Sequence, residues 1–225
     1  MKIFAIIPAG GRGKRIDTSL PKQFIKINSK EIIYYTLKTF DDSDLIDRIV
    51  IPVNKDYKPL LQNIISKYKI KTPVDIVDGG TERQDSVYNA LNSIKADDKD
   101  IVVVHDAARP LLPLEILISS ITEAKKNKAV VVAVKAKDTL MKGEKIVDRY
   151  IDRSGIYYVQ TPQVFEYGIL SVAMKKAMQE NFYGTDESML VKRSGQEIKI
   201  VEGSAFNFKV TERADLEILK VLLQK

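Results

Sequence analysis

No cysteine occurs among the 225 residues of this chain, which excludes disulfides, thiolate nucleophiles and cysteine-ligated metal centres. There is one histidine, His105; a histidine with no partner cluster is expected to serve the structure rather than to catalyse or ligate. Aromatic residues make up 8% of the chain, and Tyr34, Tyr35 and Phe40 fall at the helical spacing of a core. That argues against a cationic face interleaved with stacking aromatics, the pattern of a nucleic-acid-binding protein. No apolar run approaches the roughly 18 residues of a membrane helix, and Ile3 to Ala9 lacks the pattern of a secretory signal. No membrane partner and a cytoplasmic location are therefore expected. Repeats, low-complexity tracts and linkers are also missing, so residues 1–225 are expected to form one domain.

What is present is the composition of a globular protein, 44% hydrophobic and 29% charged, long enough to bury roughly 70% of its unfolded surface. A net charge of +6 is compatible with nucleic acid, anionic membranes or small phosphorylated substrates. Much of the excess lies in helical patterns such as EAKKNK (Glu123 to Lys128), which read as a solvated face. Near the N-terminus the charge is concentrated differently: Arg12, Lys14, Arg15 and Lys22 face a single Asp17 within one loop.

Apolar, β-branched runs at Lys2–Ile7, Arg48–Val53, Val74–Val77, Ile101–Val104 and Ala129–Val134 are mostly too continuous for half-exposed strands and suggest a sheet covered on both faces. Helical spacing separates them at Glu31–Phe40, Lys58–Tyr68, Asp85–Ile94 and Pro113–Lys126. The alternation predicts a three-layer α/β fold with a mainly parallel sheet whose ligands sit at the carboxyl ends of the strands. Around Gly143 and Gly155 the pattern changes to short alternating stretches, so residues 135–158 are expected to form a β-hairpin or projecting arm. Helices follow at Phe165–Gln179 and Asp186–Arg193, a strand at Glu197–Val201 and a closing helix at Glu212–Leu223.

The first strand runs into PAGGRGKRIDTSLPKQF, Pro8 to Phe24. As a Walker A loop this stretch fails twice, with Pro8 where the first glycine belongs and Arg15 where Ser or Thr belongs. As a dinucleotide fingerprint it has Ile16 or Arg12 in a glycine position and fails again. What is left is a glycine-rich loop that carries its own cations: N–H groups turned inward as an anion nest, with Arg12, Lys14 and Arg15 adding full charges. A polyphosphate fits such a loop.

Taken together, that stretch, GGTERQDSVYNAL (Gly79 to Leu91), VHDAARP (Val104 to Pro110), QTPQVF (Gln160 to Phe165), YGTDES (Tyr183 to Ser188) and NFKVT (Asn207 to Thr211) resemble the 2-C-methyl-D-erythritol 4-phosphate cytidylyltransferase family, in family order and across nearly the whole chain. The resemblance implies a Rossmann-like nucleotidyltransferase that moves CMP from CTP to a polyol phosphate with Mg²⁺ or another divalent cation, and releases pyrophosphate. Ribitol 5-phosphate cytidylyltransferases share most of these blocks, which makes ribitol 5-phosphate the alternative acceptor. The inventory of residues is compatible with this chemistry. A phosphate monoester with a second pKa near 6 is already anionic at neutral pH, so the transfer needs positioning and positive charge rather than a general base.

Carried over position by position, the resemblance puts Arg15 and Lys22 on the charge of the pentacoordinate phosphorus, and Pro8, Ala9, Gly10, Gly11, Arg12, Gly13 and Lys14 along CTP. Gly80 and Ser86 would surround the cytosine, and Arg83 would wall the pocket against a purine. Asp85 is expected to cap the helix that follows. Asp106 would meet the ribose hydroxyls or lie near the metal, Ala107 would pack on the nucleotide, and Arg109 would be structural. Thr139, Arg153, Thr161 and Lys209 would hold the phosphate of the second substrate, with Thr139 and Arg153 reaching from the arm of a partner subunit in a homodimer. Thr185 and Asp186 are motif positions that could equally cap a helix. Glu187 and Phe208 stand where related chains often carry Asp and Ile.

Overall fold

A computed structural model of the chain describes residues 1–11 and 20–224. Its first half alternates strand and helix. The order is β1 (Ile3–Ile6), a two-strand ribbon of β2 (Lys26–Ile27) and β3 (Lys30–Glu31), α1 (Ile32–Asp41), β4 (Arg48–Val53), α2 (Lys58–Lys67), β5 (Val74–Asp78), α3 (Arg83–Ser93), β6 (Ile101–Val104) and α4 (Leu114–Asn127). The second half continues with β7 (Ala129–Lys135), the hairpin β8 (Leu140–Gly143) and β9 (Val147–Ile151), and β10 (Tyr157–Glu166). After these come α5 (Tyr167–Gln179), α6 (Glu187–Arg193), β11 (Lys199–Glu202) and α7 (Arg213–Leu222).

Seven strands form one sheet in the order β11-β7-β10-β6-β1-β4-β5. Every neighbouring pair is parallel except the two that involve β10, which runs antiparallel to both β6 and β7. The continuous apolar runs follow from this arrangement, because a strand covered on both faces has no polar side to alternate with. Along β1, Ile3 and Ala5 face one layer while Phe4 and Ile6 face the other; along β6, Ile101 and Val103 oppose Val102 and Val104. The first layer is closed by Ile33, Leu37 and Phe40 of α1, Leu61 and Ile64 of α2, and Leu117 and Ile121 of α4. The second is closed by Val87 and Leu91 of α3, Leu170 and Met174 of α5, and Leu190 and Val191 of α6. Each fully buried aliphatic side chain contributes about 1.5–3 kcal/mol relative to exposure, so these stripes hold the helices to the sheet. Among the described residues no helix is long and apolar enough to cross a membrane.

The sequence pattern misplaced one element. A helix was expected from Phe165, with the arm ending at Tyr158, yet Tyr157–Glu166 is a ten-residue strand that leaves the arm and enters the middle of the sheet. Its ladder with β7 is irregular between Val159 and Gln163. That irregularity accommodates Pro162, a residue that argues against a central strand when the sequence is read alone. Phe165 is accordingly a fully buried strand residue, and α5 begins at Tyr167. The β8–β9 hairpin contains no buried residue, in keeping with an arm that projects from the body.

Candidate active site

The loops after β1, β4, β5 and β6 all leave the sheet at its carboxyl edge, and together with residues 209–211 they surround a cleft of about 1220 Å³. Pro8, Ala9, Gly10 and Gly11 form the wall after β1. Ala9 N–H donates to the Pro52 carbonyl at 2.9 Å, which ties this wall to β4. Arg12, Gly13, Lys14 and Arg15 lie outside the described residues. The chain returns to the cleft at a single helical turn, Lys22–Phe24, entered through Pro21 at φ −56. Here the fold adds a residue that the sequence reading missed: Gln23 is buried, and its amide donates to the carbonyls of Ala9 and Gly11. It pins the start of the glycine loop from beneath. Lys22 lines the cleft, and its ammonium donates to the Val210 carbonyl at 2.6 Å.

The wall after β5 is built on the start of α3. Glu82 and Asp85 form a reciprocal capping box there, so the expected capping role of Asp85 is shared: Glu82 is the cap and Asp85 accepts from its backbone N–H at 3.0 Å. Gly80 sits so close to this turn that a Cβ would fall 2.2 Å from the Asp85 Cβ; only glycine fits. Its N–H donates to Ser86 Oγ at 3.0 Å, and that hydroxyl donates onward to the Glu82 carbonyl at 3.1 Å. Gly80, Arg83 and Ser86 all line the cleft.

At the floor lies Asp106, directly after β6. Arg83 Nε donates to its Oδ1 at 2.9 Å, while Lys209 Nζ at 2.9 Å and Arg109 Nε at 3.5 Å face Oδ2. Burial alone would raise its pKa, but Arg83, Lys209 and Arg109 outweigh that and hold the carboxyl well below the usual range. Arg83 also donates through NH1 to Glu187 Oε1 at 2.7 Å, and these two carboxylates, against the cost of burial, keep the guanidinium charged. Ala107 lines the floor beside Asp106. Arg109 donates to the Asn207 carbonyl at 2.8 Å, and Asn207, fully buried, donates to Thr161 O at 2.7 Å and Gln160 Oε1 at 3.1 Å. The 207–211 segment is thereby stitched to the floor, which places Lys209 in the cleft and the Val210 carbonyl within reach of Lys22.

His105 and Thr161 lie behind the floor. His105 Nε2 bonds the Arg109 carbonyl at 3.1 Å. Because a carbonyl can only accept, Nε2 carries the proton, and Nδ1 accepts from the Thr161 hydroxyl at 3.0 Å. Thr161 Oγ1 in turn accepts from Asp106 N–H at 3.1 Å. Burial pushes the His105 pKa down to about 4, so the ring is neutral at pH 7 and structural. Thr161, expected to meet the acceptor phosphate, lies behind the floor in the described chain. Its hydroxyl is engaged by Asp106 and His105 and the residue is buried and not part of the cleft wall, an arrangement that positions the Asp106 backbone.

Thr139 and Arg153 sit on the exposed arm, away from the cleft of their own chain; Arg153 donates to the Lys137 carbonyl. Asp186 caps α6, accepting from Met189 N–H at 2.8 Å. Among the described residues no group of three or more His, Asp or Glu gathers to hold a metal ion. Asp106 offers one carboxylate at the floor, a donor set that fits a Mg²⁺ held mainly by substrate phosphates. Lys22, Lys55, Arg83 and Lys209 bring positive charge to the walls, and the whole arrangement suits a polyanion seated over the carboxyl edge of the sheet.

Comparison with known proteins agrees with this geometry. Residues 3–225 match the family model described as 2-C-methyl-D-erythritol 4-phosphate cytidylyltransferase. The protein of that name from Clostridioides difficile is 42% identical over 222 residues, covering 97% of this chain and 92% of the relative. Among solved structures, the 4-diphosphocytidyl-2C-methyl-D-erythritol synthase of Anaerococcus prevotii superposes with a TM-score of 0.87 at 29% identity, covering 100% of this chain and 96% of that one. The 2-C-methyl-D-erythritol 4-phosphate cytidylyltransferase of Francisella tularensis gives 0.85 at 33% identity, covering 98% and 99%.

Proposed function

This chain belongs to the 2-C-methyl-D-erythritol 4-phosphate cytidylyltransferase family, and from that premise we propose how the cleft performs the family's reaction. The enzyme transfers CMP from CTP to 2-C-methyl-D-erythritol 4-phosphate in isoprenoid biosynthesis. A phosphate oxygen of the acceptor forms a bond to the α-phosphorus of CTP, the bond from that phosphorus to the α–β bridging oxygen breaks, and pyrophosphate leaves. The acceptor arrives ionised, so no side chain has to remove a proton.

Lys22 and Arg15 hold the triphosphate and the charge that develops at the α-phosphorus, with Pro8 and Ala9 forming the wall beside it and Gly10 to Lys14 supplying backbone N–H groups. Gly80 and Ser86 leave room for a pyrimidine, and Arg83 closes that pocket. Lys209 receives the acceptor phosphate, completed by Thr139 and Arg153 from the arm of a second subunit. Mg²⁺, when bound with CTP and near Asp106, supplies further charge neutralisation at the phosphates. The enzyme works in the cytoplasm, where its nucleotide substrate is made available. The observation that carries this assignment is the convergence of Lys22, held on the Val210 carbonyl, and of Lys209 and Arg83, both held on Asp106, in one cleft that the Gly80–Ser86 turn also lines.

The test is to incubate the purified protein with CTP and Mg²⁺ and either methylerythritol phosphate or ribitol 5-phosphate, and to follow pyrophosphate. Release only with the first acceptor is expected. Release with ribitol 5-phosphate alone, or with neither acceptor, would overturn the assignment.

A further inference from the structure

Three consecutive residues of the first turn of α3 are each held by one short segment, Phe182 to Glu187. Gln84 donates to the Phe182 carbonyl at 2.9 Å and accepts from Gly184 N–H at 2.9 Å, and Asp85 Oδ1 accepts from the Tyr183 hydroxyl at 3.2 Å. Arg83 NH1 reaches Glu187 Oε1 at 2.7 Å. Glu187 is 1% exposed and does not line the cleft. Its other oxygen, Oε2, has no hydrogen-bond partner among the described residues, so its one polar engagement there is with Arg83. The Glu187 backbone is itself fixed on both sides, since Asp186 caps the helix and Ser188 N–H donates to Gln163 Oε1 at 2.8 Å. A buried carboxylate with no cleft contact, directed at Arg83, whose guanidinium is the one among the described residues that lines the cleft, acts on ligand only through that guanidinium.

We propose that Glu187 is a positioning residue for nucleobase selection: it anchors Arg83 from behind, so that the guanidinium stays against Asp106 and keeps the pocket at pyrimidine size. The inference deepens the assignment of Arg83 as the wall of the base pocket and rests on it. A guanidinium forked between two carboxylates has a fixed plane. Tied to Asp106 alone, it can swing about a single contact, which widens the pocket and weakens the fit to cytosine. The YGTDES segment then serves base recognition without touching the base.

The test uses the full chain and steady-state kinetics with CTP, ATP and the acceptor varied separately. Glu187→Gln is expected to raise KM for CTP on the order of tenfold while kcat and the acceptor KM stay within about twofold, and to lower the preference for CTP over ATP. Glu187→Asp, which keeps the charge, should give a smaller rise. In an Arg83→Ala background neither substitution should add anything. A Glu187→Gln loss confined to kcat, or a KM penalty that persists undiminished in the Arg83→Ala background, would overturn the proposal. Should Glu187→Gln not fold, Glu187→Asp decides by the same criterion. If Arg83→Ala alone leaves KM for CTP and the CTP preference unchanged, the pocket-wall assignment itself fails, and the role of Glu187 falls with it.

Discussion

In the floor of the cleft and directly behind it, Asp106, Glu187 and Asn207 are buried polar side chains whose partners lie on distant segments, as with Arg83 and Glu187, 104 residues apart. In the arm, Met141, Ile146 and Tyr150 are large side chains exposed by 63%, 84% and 70%. The buried carboxylates of Asp106 and Glu187 are held by charge-assisted bonds to Arg83 and Lys209, which fixes this part of the floor within the chain. The arm has yet to realise the transfer free energy of its apolar surface, and a second copy of the chain would supply that cover. Among the described residues, the first region finds its polar partners within the chain, while the second leaves large apolar side chains exposed, which we propose a second copy covers. This contrast is why we place the triphosphate on the floor and the partner's contribution on the arm.

The largest effect expected from breaking the floor is on turnover. Lys22→Ala should lower kcat by about 10²–10³, the scale of a lost transition-state donor, with a thermal midpoint close to wild type; a loss under about threefold would remove Lys22 from the chemistry.

The second effect is on stability and concerns the histidine behind the floor. The unfolded chain takes up a proton on His105 near pH 6.5, whereas burial lowers the folded pKa to about 4. The unfolded state therefore binds more protons between those values, and stability is lost as pH falls through that window, by roughly 3 kcal/mol in full. Asp106, whose pKa is lowered, contributes stability that is lost only at still lower pH. Chemical denaturation at pH 7, 5.5 and 4 measures the slope, and His105→Gln should flatten it; an unchanged slope would mean that other groups carry the acid sensitivity.

Third, Arg153→Ala on the arm should raise KM for the acceptor by about tenfold and leave KM for CTP alone. If sites are shared, mixing this variant with Lys22→Ala restores up to about a quarter of wild-type activity, because half the dimers are mixed and one of their two sites is intact. No recovery in verified mixed dimers would confine each site to one chain. The smallest effect on the fold should come from Ile146→Lys at the exposed tip, within about 0.5 kcal/mol for the single chain. The same substitution should shift the sedimentation profile toward monomer at low concentration. An unaltered profile would free the arm from any part in assembly.

Much of the body could be read from residue patterns. β4 and β6 occur at Arg48–Val53 and Ile101–Val104, the expected bounds, because their continuous apolar runs have a single explanation once helices alternate with them. β10 could not be read this way, since its outer half belongs to the arm, its inner half to the core, and Pro162 interrupts the pattern between them. In the candidate site, the motif blocks contain residues that line the cleft: the Pro8–Gly11 wall, the Gly80–Ser86 turn, Asp106 and Lys209. They gave no sign of Gln23, Asn207 or Glu187 as supports, because a buried polar residue is recognisable only once its remote partner is known. Gln23 next to Lys22 and Asn207 ahead of Lys209 were visible inside their blocks, and a search for polar residues flanking each proposed cation would have marked them. The support that Thr161 gives Asp106 was hidden for the same reason: its hydroxyl partners, His105 and Asp106, are more than fifty residues away in sequence.

The most direct test is a crystal structure of the enzyme with CTP and Mg²⁺. We expect the triphosphate over the Pro8–Gly11 wall with the Lys22 ammonium moved from the Val210 carbonyl onto a phosphate oxygen, and cytosine against the Gly80–Ser86 turn beside Arg83. A triphosphate bound elsewhere, with Lys22 still on Val210 and no nucleotide atom near Arg83, would contradict the floor as the seat of the reaction.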